Sequence, residues 1–275
     1  MKILILGASG FLGGHCFELL KTEFNVLGTV NSSNSNDEFI KLDVTKEEEV
    51  KDIIENFNPD IILWTLMSNT SEKYLVELGL NNVLKYISDN KKIIFISTNA
   101  VFRGKNGDYK ENNKPEYRNS RDALAEYSNA KIDGEKIVIS HGNYIIIRPG
   151  MLYGKDINGI WDKKTTNLIN LLEHNKEFVR TENMYNTFVK VEEMAKAIVK
   201  LIKIDYKGII HLGPLNKNSY FEFYKDMAKQ LKLNSNLIKS NRKSIYECIK
   251  EDNYLDFSLN TFKVNKLLGE IFSNI

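Results

Sequence analysis

The sequence predicts an α/β fold: a doubly wound parallel (Rossmann) sheet followed by a smaller carboxyl-terminal lobe. Three observations support this. Short apolar runs rich in β-branched residues alternate with helical patterns through the first half of the chain. A glycine-rich turn directly follows the first apolar run, and the regular alternation ends near Pro149. Alternating buried strands and helices are typical of parallel sheets joined by crossover helices.

Each element of the first half has its own sequence signal. Apolar runs predict buried strands over residues 2–6, 26–30, 61–66, 93–97 and 144–148. Helical patterns predict crossover helices over residues 11–21, 45–57 and 72–89. We therefore expect residues 1–150 to form a dinucleotide-binding domain.

The second half is less regular. Helices are predicted over residues 165–173, 191–202, 221–231 and 261–268, with short strands over residues 187–189 and 209–212. We expect residues 151–275 to form mainly a substrate lobe, with later segments, about 187–212, returning to the first domain.

Composition narrows the classes of function. The 275 residues are 42% apolar and 27% charged, and the net charge is +2. This balance is ordinary for a globular protein and gives no field that would attract nucleic acid. No run approaches the ~20 apolar residues of a membrane span. We expect a cytoplasmic protein with a small-molecule partner, binding neither nucleic acid nor membrane.

Cysteine and histidine placement argues against disulfides and metals. The two cysteines, Cys16 and Cys248, form no disulfide framework, so a reducing compartment is expected. The four histidines share no ligand spacing, and no metal site is predicted.

The glycine-rich turn is the first candidate site. Gly7, Gly10 and Gly13 follow an apolar strand and open an amphipathic helix. In this context the first glycine permits a tight turn, the second lets backbone approach a diphosphate, and the third lets the helix pack closely. Amides at the helix start then face the phosphates. A dinucleotide site is predicted.

The tip of the second predicted strand bears on which dinucleotide binds. An acidic residue there accepts hydrogen bonds from the adenosine ribose and repels a 2′-phosphate. This chain has Asn31 and Ser32 instead, so NADPH is favoured and NADH is the alternative. Asp43 has two interpretations: it holds the adenine amino group, or it caps the following helix.

Tyr127 and Lys131 form the second candidate site. Four positions apart in a helical segment, they share one helix face. An unperturbed phenol has a pKa near ~10, and a nearby cation favours its phenolate. The pair therefore predicts a tyrosine that works as an acid and a base. Thr98, at the end of the strand predicted over 93–97, could orient a substrate oxygen toward it.

These motifs together resemble the extended short-chain dehydrogenase/reductase superfamily, and more narrowly the branch typified by dTDP-4-dehydrorhamnose reductase. The resemblance rests on five segments of the chain: residues 7–13, 58–62, 96–102, 127–135 and 147–154. It implies a catalytic trio of Thr98, Tyr127 and Lys131, with hydride passing to a sugar C4 carbonyl and Tyr127 protonating its oxygen. Lys131 would also hold the nicotinamide ribose.

Further roles are expected from the same resemblance. The substrate would be a nucleotide-diphosphate 4-keto-6-deoxy sugar whose nucleotide end lies in the carboxyl-terminal lobe, and a homodimer is an expectation. Residues expected along the cofactor are Ser9, Phe11, Leu12, Val44, Leu66 and Met67. Residues expected at the substrate are Ser68, Met151, Asn167, Arg180 and Thr187.

Departures from the family pattern leave alternatives open. Asn99 and Ala100 stand where a 4,6-dehydratase would need an Asp-Glu pair, so that chemistry is disfavoured. A nucleotide-sugar 4-epimerase with retained NAD would use the same trio. A non-catalytic dinucleotide-binding sensor or scaffold is the alternative outside enzymes, although it has no use for a tuned phenol.

Overall fold

A computed structural model describes residues 1–31, 38–68, 70–120, 122–251 and 254–275, excluding the side chain of Glu251. The strands are β1 (Lys2–Leu6), β2 (Asn25–Val30), β3 (Phe39–Lys41), β4 (Ile61–Trp64), β5 (Lys92–Ile96), β6 (Tyr144–Pro149), β7 (Met151–Tyr153), β8 (Phe178–Thr181), β9 (Tyr185–Asn186), β10 (Phe188–Lys190), β11 (Gly208–Leu212), β12 (Asn218–Ser219) and β13 (Ile238–Asn241). The helices are α1 (Phe11–Leu20), α2 (Glu47–Phe57), α3 (Glu72–Tyr74), α4 (Leu80–Tyr86), α5 (Ala125–His141), α6 (Lys163–Glu173), α7 (Val191–Lys203), α8 (Tyr220–Gln230), α9 (Ile245–Glu251) and α10 (Phe262–Leu268).

The predicted doubly wound sheet is confirmed. Seven strands of the described chain form one sheet in the order β11-β6-β5-β4-β1-β2-β3, and every pairing in it is parallel. The chain builds outward from β1 to β3 and then crosses back to β4 on the other side of β1. This reversal opens a crevice at the carboxyl ends of β1 and β4, where ligands of such sheets bind.

Alternation along the strands sends apolar side chains to both faces of the sheet. Ile3 and Ile5 of β1 pack in the core under α1 and α7, whereas Leu4 and Leu6 pack in the core under α2, α4 and α5. Successive strand side chains point to opposite faces, so a strand covered on both sides must be apolar throughout. This requirement is why the strand predictions succeeded in the first half.

The crossover helix predicted over residues 72–89 is wrong in its regularity and its end. The segment consists of α3, a π-helical turn at Leu75–Gly79, and α4, which ends at Tyr86. Gly79 in this turn approaches the core closely: a Cβ there would lie 2.7 Å from Trp64 and 2.8 Å from Val44. The turn places the start of the segment, including Glu72, against α5.

Residues after Pro149 divide between the sheet and a separate aromatic core. β11 pairs with β6, and α7 packs against α1, so both belong with the sheet. The separate core centres on Tyr153, Phe178, Phe223 and Tyr224, between α6, α8 and the paired strands β8 and β13. Sequence patterns did not predict β8, β9, β12 or β13. The division of the chain at residue 150 stays a prediction.

No helix of the described residues combines the length and apolar character that crossing a bilayer demands.

His211 on β11 is a fully buried titratable group. Its ring meets Phe102 edge-on, with centroids 5.8 Å apart. Among the residues that the structure describes, neither ring nitrogen has a partner in hydrogen-bond geometry, although the backbone of Tyr109 and Asn260 lies near. Burial, reinforced by the Arg148 charge, lowers the pKa of His211 from 6.5 to about 3. The imidazole is therefore neutral in the folded protein.

This burial predicts acid lability. The neutral ring's contribution to stability is complete above pH 6.5 and is lost as the pH falls toward 3, because the unfolded chain takes up a proton that the folded chain refuses. For His211→Gln, we expect the free energy of unfolding to fall less steeply between pH 5.5 and 4 than in the wild type, by about 1.4 kcal/mol per pH unit. Urea unfolding at several pH values measures the slope.

The matched control is His174→Gln, at an exposed histidine. That variant should keep the wild-type slope, and equal slopes in all three proteins would contradict the assignment.

Candidate active site

The glycine-rich turn fits a dinucleotide. Gly7 has φ +91°, a conformation that favours glycine, and its carbonyl accepts from Gly10 N at 3.0 Å. A Cβ on Gly13 would overlap this same Gly7 carbonyl, so only glycine lets α1 lie this close to the turn. Gly10 is the exposed N-cap of α1 with no side chain over the helix start, where first-turn amides are free to meet phosphates.

The predicted cofactor residues around this turn differ in exposure. Ser9 is exposed, Phe11 is half-buried and Leu12 is buried. Across the crevice, Thr65 follows β4, and its hydroxyl donates to Leu6 O at 2.8 Å. This bond holds the ends of β1 and β4 together. The next residues after Thr65, half-buried Leu66 and exposed Met67, continue the crevice wall.

The tip of β2 ends in exposed Asn31, and Ser32 lies outside the described residues. Asp43 accepts from the backbone N (3.0 Å) and the hydroxyl (2.7 Å) of Thr45. The alternative in which Asp43 caps the next helix is wrong, because the N-cap of α2 is Lys46. Val44 is buried against Gly79, so its side chain belongs to the core.

Tyr127 and Lys131 lie together on α5. The ammonium nitrogen of Lys131 is 5.9 Å from the centre of the Tyr127 ring and 5.1 Å from that of Phe95. The Lys131 side chain is 2% exposed and forms an ion pair of 2.8 Å with Glu72, whose side chain is 1% exposed. Sequence reasoning missed Glu72, since nothing in its spacing relates it to α5.

Thr98 begins the turn that follows β5. Its hydroxyl oxygen accepts from Ala100 N at 3.1 Å and so caps a 3-10 turn over Asn99–Val101. A hydroxyl that accepts in this way is still able to donate its own hydrogen. Because this turn packs against α5, Thr98 lies at the end of β5 beside the helix that carries Tyr127.

Buried charges hold this turn in place. Arg118 donates to Ala100 O at 3.1 Å and to Phe102 O at 2.7 Å, and pairs with Asp122. One helical turn beyond Lys131, Glu135 accepts two bonds from Arg148, at 2.8 and 2.6 Å. Both pairs are nearly inaccessible to solvent. They position the backbone around Thr98.

A second charged group lies in the lobe. Arg180 stacks on Phe178 (3.5 Å to the ring centre) and Tyr224 (4.9 Å), and burial lowers its pKa. Lys164, at the start of α6, places its ammonium 3.3 Å from Met151 Sδ. Its pKa is lowered chiefly by burial of the ammonium; Asp162 opposes this shift and Arg180 adds to it. Sequence reasoning missed Lys164.

The local sequence explains how α6 presents Lys164. Asp162 caps the helix by accepting from Lys164 N at 3.0 Å and Thr165 N at 3.1 Å, and its other oxygen binds Gly154 N at 3.2 Å. The cap therefore fixes α6 to the chain just after β7. Among the predicted substrate residues, Met151 and Arg180 lie with Lys164, and Asn167 is exposed one turn along α6.

The remaining predicted substrate residues lie elsewhere. Thr187 is buried, and its hydroxyl accepts from Leu259 N at 3.0 Å, so it fastens the carboxyl-terminal segment to β10. Asn99 donates to Asn186 Oδ1 at 2.7 Å and to Phe257 O at 2.9 Å. Ser68 lies after β4, where its backbone N donates to Glu72 at 2.7 Å.

No group of three or more His, Cys, Asp or Glu side chains in the described parts of the chain is arranged to hold a metal ion.

Comparisons with known proteins place the chain in a family. Residues 3–213 match the NAD dependent epimerase/dehydratase family. A curated relative, methionine adenosyltransferase 2 subunit beta from Xenopus laevis, is 23% identical over 86% of this chain and 74% of its own length.

Two solved structures share the fold. dTDP-4-dehydrorhamnose reductase from Bacillus anthracis, in complex with NADP, has a TM-score of 0.77, with 22% identity over 100% of this chain and 94% of its own. The Bordetella bronchiseptica enzyme WbmG, in complex with NAD, has a TM-score of 0.80, with 14% identity over 100% and 89%. At these identities the likeness shows the fold alone.

The close approach at Gly13 predicts the effect of one added methyl group. For Gly13→Ala, we expect a loss of about 1–3 kcal/mol in the free energy of unfolding, because the Cβ forces α1 away from the turn. If the turn binds a nicotinamide dinucleotide, affinity for NAD(P)H should fall at least ~10-fold as the helix amides move. Urea unfolding and NAD(P)H fluorescence titration measure the two effects.

Gly14→Ala is the matched control on the same helix. Its Cβ would meet only the side chain of Ile157, at 3.2 Å, and that exposed side chain is able to yield. An affinity loss as large for Gly14→Ala as for Gly13→Ala would contradict the role assigned to the turn.

Proposed function

Because this chain belongs to the NAD dependent epimerase/dehydratase family, we propose that it is an NAD(P)H-dependent reductase of a nucleotide-activated 4-keto-6-deoxy sugar. One observation carries the proposal. At the carboxyl edge of the sheet, a buried ammonium, Lys131, lies against the ring of half-buried Tyr127. A cation in this place stabilises the phenolate that remains after proton transfer.

In the proposed reaction, Tyr127, Lys131 and Thr98 each have a separate role. A bound reduced nicotinamide supplies the hydride to the carbonyl carbon. Tyr127 donates its phenolic proton to the carbonyl oxygen, and Lys131 stabilises the resulting phenolate until solvent returns the proton. Thr98, with its hydroxyl hydrogen free, donates a hydrogen bond to the same oxygen and orients it.

The lobe supports a diphosphate-bearing substrate. Lys164 and Arg180 lie close enough to repel each other, and the described residues give neither a carboxylate in ion-pair contact. Two neighbouring cations without a carboxylate in ion-pair contact among the described residues favour a ligand with more than one negative charge. Met151 beside Lys164 gives this group an apolar wall toward the sheet.

NADPH is the favoured cofactor in this proposal, with NADH as the alternative. Asn31 at the tip of β2 brings no negative charge, and exposed Lys41 lies on the neighbouring strand in register with Val30. A cation at this place suits a 2′-phosphate. The relatives in complex with NADP and with NAD are consistent with either choice.

Asn99 argues against 4,6-dehydratase chemistry. Its amide group is buried and donates to two acceptors, so it supplies no acid or base for proton transfer at C5 or C6. A 4-epimerase with retained NAD uses the same trio as the reductase. Consumption of NADPH by the purified protein separates the two.

A second candidate is a dinucleotide-binding subunit without turnover of its own. The similarity to methionine adenosyltransferase 2 subunit beta, a protein named as a subunit, favours it over other non-catalytic functions. Such a protein would bind NADPH through the glycine-rich turn and consume none of it with any keto-sugar nucleotide.

The catalytic assignment predicts the effect of removing one hydroxyl. With a panel of 4-keto-6-deoxy nucleotide sugars, we expect the wild type to oxidise NADPH, and Tyr127→Phe to lose at least ~100-fold in kcat because the proton donor is gone. NADPH affinity should change less than ~3-fold, since the phenylalanine ring keeps the packing. Absorbance at 340 nm and fluorescence titration measure the two.

Tyr246→Phe is the control, at a tyrosine that is 73% exposed on α9. Unchanged turnover in Tyr127→Phe would overturn the catalytic assignment. NADPH binding without oxidation of any substrate would instead favour the non-catalytic subunit.

The two lobe cations predict a defect in substrate binding. In Lys164→Met and Arg180→Met we expect KM for the nucleotide sugar to rise about 10-fold, because each variant loses a charge-assisted bond to the diphosphate. kcat should change little, since Lys164 and Arg180 lie on α6 and β8, whereas Tyr127 and Lys131 lie on α5. Lys163→Met, at the adjacent lysine of α6, is the matched control, because Lys164 is the lysine that contacts Met151. A fall in kcat with unchanged KM would contradict this placement.

A further inference from the structure

The chain between β4 and the π-helical turn is fastened to α5 by two carboxylates. We call residues 68 and 70–74 the β4 strap. Glu126, on the first turn of α5, accepts from Ser71 Oγ at 3.1 Å and Lys73 N at 2.9 Å. Glu72, on the strap, pairs with Lys131, five residues further along α5. In the first attachment the carboxylate is on the helix and binds the strap. In the second the carboxylate is on the strap and binds the helix.

The two attachments also differ in environment. Glu126 is exposed, so solvent would solvate its partners if the contact were lost. Glu72 and Lys131 are closed off from solvent, with side-chain exposures of 1% and 2%. Ser68 N binds the second Glu72 oxygen at 2.7 Å and fixes the orientation of the carboxylate. The buried pair is therefore held from the strap side.

The groups around the Lys131 ammonium come from β5, α5 and the chain after β4. The rings of Phe95 on β5 and Tyr127 on α5 lie 5.1 and 5.9 Å away, and Leu66 O approaches the ammonium at 3.5 Å. Glu135, one turn further along α5, is engaged by Arg148 and Ser97. Among the residues that the structure describes, Glu72 is the one carboxylate in contact with Lys131.

A buried ammonium without a carboxylate loses its proton more readily, because burial penalises the charged form. We propose that Glu72 is a positioning residue that keeps the buried Lys131 charged and turned toward Tyr127. The ammonium donates to Leu66 O at 3.5 Å, and Glu72 Oε1 lies 2.8 Å away as its charge partner without hydrogen-bond geometry. The ammonium has three N–H donors, so donors remain for a polar ligand in the crevice.

The proposal deepens the proposed function, because a charged Lys131 is what stabilises the Tyr127 phenolate. The effect of Glu72 on Lys131 can be tested without turnover. Glu72 acts on the charge of Lys131, and that charge is measurable without any substrate.

The test uses the full chain labelled with [¹³Cε]lysine, with the Lys131 signal assigned from a Lys131→Arg sample. Titration by ¹H–¹³C NMR follows the protonation of this lysine. In the wild type we expect the signal to stay at its charged position from pH 6 to 9. In Glu72→Gln the midpoint should fall by at least ~2 pH units, because the neutral amide no longer compensates the buried charge. Glu72→Asp should restore most of the charge.

Glu126→Gln is the matched control. It weakens the attachment of the same strap to the same helix but removes no carboxylate from Lys131, so the Lys131 signal should keep its wild-type titration. If loosening of the strap is the real cause, Glu126→Gln will move the signal as well, and the proposal fails. A neutral Lys131 in the wild type at pH 7 would also overturn it, even if Glu72→Gln does not fold.

Turnover gives a second readout once a substrate is found. We expect kcat of Glu72→Gln to be within ~3-fold of the wild type well below the midpoint that the NMR titration gives for this variant, and at least ~10-fold lower one pH unit above it. An equal loss at both pH values would indicate a structural role and contradict the proposal. Absence of turnover in the wild type would count against the reductase function alone, because the NMR titration stands without it.

Discussion

The contact between Gly13 and the Gly7 carbonyl is the constraint on which the site depends. Backbone meets backbone there, because no side chain fits between α1 and the turn after β1. Thr65 extends this contact across the crevice by donating to Leu6 O. The start of α1 and the end of β4 are thus fixed to the same short stretch of chain. A ligand that binds the helix amides is thereby positioned against the wall formed after β4.

Paired buried charges then position the turn after β5 and the neighbouring helix α5 on the other side of the crevice. Arg118 fixes the turn after Thr98, and the Glu135–Arg148 pair fixes the strand ends beneath it. Buried ion pairs of this kind contribute little net stability, because desolvation offsets the attraction. Their value lies in geometry: an unpaired charge would be costly, so each pair admits few alternative arrangements.

The sequence predicted the features that depend on local spacing. The glycines of the turn act within one strand-to-helix junction, and Tyr127 and Lys131 share a helix face, so both follow from short-range geometry. The strands of the sheet were also predictable, because burial on both faces requires short continuous apolar runs. Short strands of the lobe, such as β8 and β13, pair across long stretches of chain and expose polar residues, so they left no clear pattern.

The unpredicted parts of the candidate site depend on tertiary contacts. Glu72 meets Lys131 only because a π-helical turn and the packing on α5 bring the β4 strap to that place. The cap by Asp162 decides that Lys164, rather than Lys163, approaches Met151. Thr187 is the opposite case. The family resemblance implied a ligand contact, but its hydroxyl oxygen instead accepts a hydrogen bond from the backbone amide of Leu259, far along the chain.

Two buried ion pairs on α5 differ in a way that favours a catalytic protein over one that only binds a dinucleotide. Arg148 grips Glu135 with two hydrogen bonds, and the pair has a structural explanation in the strand ends that it joins. Lys131 and Glu72 meet through one ion-pair contact, beside a phenol and at a ligand crevice. A protein that only binds a dinucleotide gains nothing from the desolvation cost of that second pair, since the glycine-rich turn suffices for the phosphates. A protein that must stabilise a transient phenolate gains a fixed positive charge where it is needed.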